Sequence, residues 1–195
     1  MAATILALTA CANTPATGTL STPAALQAEA SATPATSGMH HGAATHAPFD
    51  AMFIDAMIVH HQGAITMANQ ALQEASRPEI TALARAIIET QQAEIQQMQQ
   101  WRVAWYPNLP ATEGMMNDDG TMMDMGPMSV SAGDLPFDIR FIDAMIPHHE
   151  GAIVMARMAL QRATRPEIRQ LAGEIIAAQS AEIEQMKRWR AEWIN

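Results

Sequence analysis

Two adjacent histidine pairs, His60–His61 and His148–His149, each follow a methionine, Met57 and Met145, by three and four residues. Residues at those spacings share one face of a helix, so each Met-x-x-His-His cluster presents a thioether and two imidazoles to one region. Soft sulfur with imidazole is a donor set that suits copper. The thioether favours Cu(I), and imidazoles with a carboxylate also hold Cu(II). Imidazole ligates only when neutral, so metal affinity should weaken below roughly pH 6.5.

The elements that position these clusters form a duplicated unit. Residues 49–106 align without a gap on 137–194, and FIDAMIVHHQGAITMA from Phe53 reappears as FIDAMIPHHEGAIVMA from Phe141. In each copy, apolar or small residues such as Phe53, Met57, Ala64, Met67 and Ala71 follow helical spacing. Asp50 and Asp138 are the expected N-caps, with Phe49 and Phe137 stapled onto Ile54 and Ile142, and the first helix should run to about Ala75. Ser76-Arg-Pro-Glu79 and Thr164-Arg-Pro-Glu167 read as capping boxes that start a second helix. That helix carries Ile80, Leu83, Ile87, Gln91, Glu94, Met98, Trp101 and Trp105 on one stripe.

With almost no linker, each pair of helices must fold back as an antiparallel hairpin. Two hairpins burying their apolar faces together make an all-α four-helix bundle. Pairing positions across the turn at Ser76 brings Glu94 and Met98 opposite Met57, His60 and His61. The second copy gives Glu182 and Met186 opposite Met145, His148 and His149. Two similar metal sites are therefore expected, one in each half. Pro147 stands where the first copy has Val59 and should kink its helix locally. Asp55 lies off the Met57 stripe, solvated or paired with an arginine such as Arg102.

Composition supports a cation-binding reading. The formal net charge of −9 argues against nucleic acid, whose phosphates need clustered Lys and Arg. Sixteen methionines beside one tyrosine is an unusual balance, and six of them, Met115, Met116, Met122, Met123, Met125 and Met128, lie in the 107–136 segment between the repeats. Gly, Pro and acidic residues there break any regular element, so these thioethers are expected to be exposed and available for metal capture. The single cysteine, Cys11, rules out an internal disulfide or a thiolate cluster. Residues 1–11 resemble a lipoprotein signal ending at a lipidated Cys11, though the usual positive charge at its start is absent. Residues 12–48, rich in Ala, Thr, Ser and Pro, read as a disordered tether carrying His40 and His41. Nothing in the sequence matches the length of a membrane-spanning helix, so the expectation is an exported, periplasmic or envelope lipoprotein.

Plainer readings exist for each residue taken singly. A lone histidine on an apolar helix face is ordinarily a satisfied core residue, methionine fills core gaps well, and the Met-rich segment would also serve as a spacer. Repetition of adjacent histidines in both halves is what favours ligation.

The Met-Ile-x-His-His-(Gln/Glu)-Gly-Ala core, the Arg-Pro-Glu-Ile turn and the Gln-x-Ala-Glu-Ile-x-Gln-Met stretch with its tryptophan resemble the DUF305 family. The match covers most of the folded chain. It implies a ferritin-like bundle that binds copper through methionine and histidine and contributes to metal tolerance or trafficking outside the cytoplasm, with copper-efflux or trafficking proteins as partners. A non-enzymatic copper-binding protein is the leading expectation, with the His40/His41 tail and the methionine loop capturing ions. A ferritin-like oxidase is the rival, although the Glu-x-x-His of di-iron bundles is absent. A metal-free envelope interaction module is the third reading.

Overall fold

The computed structural model describes residues 48–112, 114–116 and 120–194. Cys11, His40 and His41, with the signal and most of the tether, lie outside the described residues. Four helices follow in order: α1 (Phe49–Glu74), α2 (Pro78–Trp105), α3 (Phe137–Arg162) and α4 (Pro166–Trp193). Both first helices have 26 residues and both second helices 28. No strand forms among the described residues beyond an isolated bridge between Met116 and Met122.

Each hairpin turns within three residues, because proline at the first position of α2 and α4 has no N–H to lose and its φ is preset for a helix. Contacts along the hairpin confirm its sense. Asp55 in α1 reaches Arg102 at 2.8 Å, and His61, further along α1, reaches Glu94, earlier in α2. In the second hairpin Arg190 grips Asp143 in the same way. α1 also packs on α3, which makes these two helices the centre of the bundle.

The helix starts differ from their sequence reading. Pro48 and Pro136 stand at the N-cap positions of α1 and α3, and Arg77 and Arg165 at those of α2 and α4, without side-chain caps of their own. Asp50 and Asp138 instead sit in the first helical turn, buried, and reach across to the opposite hairpin. Asp50 accepts bonds from the backbone N–H of Thr164 (2.9 Å) and Arg165 (3.1 Å), and from the Thr164 hydroxyl. Asp138 accepts from the N–H groups of Ser76 and Arg77, each at 3.2 Å. A buried carboxylate needs donors, and the orphan N–H groups at a helix start supply them with favourable dipole sign. The same ends are clamped by Arg77 over Trp193 and Arg165 over Trp105, at 4.1 and 4.2 Å from the ring centroids.

Two apolar clusters fill the interior. One gathers Met67, Ile80, Leu83 and Ile87 with Phe141, Met145, Ile183 and Met186. The other gathers Phe53, Met57 and Met98 with Met155, Ile168, Leu171 and Ile175. Among the described residues, the buried polar side chains apart from Asp50 and Asp138 are His60, His61, Gln91, His148, His149 and Gln179.

Candidate metal centre

All four repeat histidines are fully shielded from solvent. They form a row across the α1–α3 contact. His60 stacks on His148 with centroids 3.8 Å apart, while His61 and His149 flank them with centroids 6.4 and 6.3 Å from their neighbours. Carboxylates close both ends, since Nε2 of His61 donates to Glu94 and Nε2 of His149 to Glu182, each at 2.6 Å.

These bonds fix the tautomers. A carboxylate or carbonyl only accepts, so the partnered ring nitrogen carries a proton, and in a neutral ring the other nitrogen carries a lone pair. His148, whose Nε2 donates to the His60 carbonyl at 3.1 Å, therefore keeps Nδ1 for a ligand. Five buried ring nitrogens, Nδ1 of all four histidines and Nε2 of His60, have no hydrogen-bond partner. Leaving a buried polar atom unsatisfied costs about 1–3 kcal/mol. Their concentration in one row offers several nitrogen donors to a single ligand.

Electrostatics keep the central pair neutral. Desolvation, reinforced by the neighbouring imidazoles, pushes His60 down to about 2. His148 falls to about 4, desolvation again leading, with the carbonyls of His60 and Pro127 limiting the drop. Both are in the ligating form across the ordinary pH range.

The methionine segment supplies sulfur. A Cβ placed on Gly63 would lie 2.6 Å from the Met128 sulfur and 3.0 Å from Cε1 of His148, so that thioether and imidazole converge over a residue with no side chain. On the other side, a Cβ on Gly151 would lie 3.2 Å from the Asp124 carbonyl and 3.4 Å from Nε2 of His60. Gly126, at φ +68°, passes so near α3 that its Cβ would come within 2.7 Å of His148 Cα. Residues 124–128 thus form a strap over the stacked pair. Among the described residues no three His, Cys, Asp or Glu side chains surround one point suited to a metal ion.

The expectation of exposed loop thioethers needs correction. Met116, Met122 and Met128 are exposed, but Met115 and Met123 are buried in the second apolar cluster, joined by a bond from Met123 N–H to the Met115 carbonyl at 3.0 Å. The loop folds onto the bundle because its methionines are the apolar surface available to cover α1 and α3 there. Met115, Met122, Met123 and Met125 line a cavity of about 90 Å³ with Met155 and Asp55. Met155 carries no sequence signal of its own, because as the repeat counterpart of Met67 it reads as core.

Of the residues placed in the two predicted sites, the fold pairs His61 with Glu94 and His149 with Glu182. It brings His60 and His148 together across the repeats, so the inner histidines meet at a single centre shared by both halves. Met57 and Met98 are packed in one apolar cluster, Met145 and Met186 in the other.

Residues 21–102 and 50–190 match the model of a domain of unknown function, DUF305. The chain belongs to the DUF305 family. Its fold is similar to CopM in the Cu(I)-bound form, at 41% identity and a TM-score of 0.63, over 75% of this chain and 98% of CopM. CopM has also been solved with Cu(II) and with silver bound. A DUF305 protein from Streptomyces coelicolor, designated a candidate secreted protein, is 27% identical with a TM-score of 0.59 over 74% of this chain and 93% of that one. A curated relative, the uncharacterised protein L153 of Acanthamoeba polyphaga mimivirus, is 43% identical over 49 residues, 25% of this chain and 32% of the relative. The chain thus spans about a third of that relative's length.

Proposed function

We propose that this DUF305 protein is a copper-binding protein that works outside the cytoplasm, sequestering or passing on the ion without transforming it. The observation that carries the reading is the stacked, neutral pair His60–His148, with unpartnered ring nitrogens and the Met128 thioether beside it. Buried imidazole and an adjoining thioether match Cu(I), and the outer imidazoles with Glu94 and Glu182 extend the row toward Cu(II). The likeness to CopM, solved with both copper states, supports the same cargo.

Export is supported by the Streptomyces relative's designation. No described helix is long and apolar enough to cross a membrane. In this reading Cys11 is the lipid anchor, His40 and His41 with Met116 and Met122 make first contact with the ion, and an efflux or trafficking protein receives it.

Equilibrium titration with Cu(I) and Cu(II) tests the proposal. The chain should bind Cu(I) far more tightly than a variant in which His60, His61, His148 and His149 are all changed to Ala. Equal affinity in a folded variant would remove the histidines from the site, and oxygen consumption on adding Cu(I) would point to an oxidase instead.

A further inference from the structure

Behind the histidine row, α2 and α4 face each other across a narrow cleft lined by Ile87, Gln91, Glu94, Ile175, Gln179 and Glu182. The glutamine, the glutamate and the isoleucine recur on both walls, and Thr90 on one wall is matched by Ala178 on the other. Gln91 and Gln179 are 97 and 96% buried by their 3 and 4% exposures, and the Oε1 atom of each lacks any partner. Two buried amide oxygens left bare on facing walls of one gap call for a donor or a cation between them. Glu94 and Glu182 add charge. Each gives one oxygen to an imidazole, and both residues line the cleft.

The gap has room for one particle the size of a water molecule. That size excludes two ions and excludes a fully hydrated one. Amide carbonyl and carboxylate oxygens, with no sulfur, suit hard divalent cations and suit Cu(I) poorly.

We propose that the α2–α4 cleft is a second metal site, which holds a single oxygen-ligated divalent cation of the Mn²⁺ or Mg²⁺ class between Gln91, Glu94, Gln179 and Glu182. The ion bridges the outer helices, joins the two hairpins on the face opposite the methionine strap, and leaves the His60–His148 centre to copper. Water enclosed by the two amides is the competing occupant.

Titrating Mn²⁺ into the full chain, with the free-ion electron paramagnetic resonance signal as readout, decides between them. One Mn²⁺ per chain is expected, displaced by Mg²⁺. The combined variant Glu94→Gln, Glu182→Gln keeps a hydrogen-bonding partner for each imidazole and should weaken Mn²⁺ binding by roughly tenfold or more. Gln91→Met with Gln179→Met, which conserves volume but removes the oxygens, should weaken Mn²⁺ while leaving Cu(I) binding unchanged. His60→Ala with His148→Ala should do the reverse, so a failure of the copper reading would leave this one standing. No Mn²⁺ bound to the folded chain, two ions per chain, or a Glu94→Gln, Glu182→Gln variant that binds Mn²⁺ as the natural chain does would each overturn the site. If the glutamine variant fails to fold, the glutamate variant decides alone.

Discussion

His60 and His148, contributed by different hairpins, lie face to face with ring centroids 3.8 Å apart and no exposure to solvent. Two protonated imidazoles could not share that space, and the stack therefore ties stability to pH. In the folded chain their pKa values are about 2 and about 4, against an ordinary 6.5. As pH falls through about 6.5 the unfolded chain takes up protons that the folded chain refuses, so stability declines from there downward. The contribution is complete above pH 6.5 and is lost progressively toward pH 4 for His148 and pH 2 for His60. By pH 5 the loss should be about 2 kcal/mol per histidine. Urea midpoints measured without metal at pH 7 and pH 5 check this, and His60→Phe with His148→Phe should flatten the profile.

Gly63 is the place where Met128 sulfur meets His148. Gly63→Ala would put a methyl 2.6 Å from that sulfur. The flexible methionine end should swing away, and the buried His148 ring, 3.0 Å from the same methyl, need give only a few tenths of an ångström, so the cost to folding stays within about 1 kcal/mol. Cu(I) affinity should fall several-fold while the thermal midpoint barely moves. An unchanged Cu(I) affinity would remove Met128 from the centre.

Gly126 is less forgiving. Its positive φ and the backbone of α3, 2.7 Å from any Cβ, leave no room for a side chain. Gly126→Ala should detach the strap rather than unfold the bundle, because the helices have their own core. Hydrogen exchange is expected to accelerate across residues 122–128, with far-ultraviolet circular dichroism unchanged.

The exchanged caps carry more of the stability. Asp50→Ala strips partners from the backbone N–H groups of Thr164 and Arg165 in a buried setting and should cost about 2–4 kcal/mol. Asp138→Ala should cost less, since its bonds are longer and involve no hydroxyl. Denaturant unfolding of the two variants gives the comparison directly.

Within each hairpin the sequence was a good guide. The 3.6-residue spacing and the tight Arg-Pro turn place Glu94 opposite the His60–His61 pair and put Arg102 among the partners open to Asp55, and the structure holds both contacts. Relations between hairpins were out of its reach. Periodicity says which face of a helix is buried but not against what, so the stacking of His60 on His148 and the crossing of Asp50 to α4 had no local signal. The loop hides its packing for the same reason. Met115 and Met123 look exposed beside Gly and Asp, and only the bundle surface beneath them makes them core.

The reciprocal caps carry a lesson about how such a protein arises. One hairpin holds both halves of the contact, an aspartate to give and a bare helix start to receive, and so presents a self-complementary surface. Two identical hairpins related by a two-fold axis would satisfy each other in full, as an isologous dimer does. Joining them through residues 107–136 turns that association into an intramolecular one, whose effective concentration the linker sets. A centre assembled from two hairpins on one chain does not come apart on dilution.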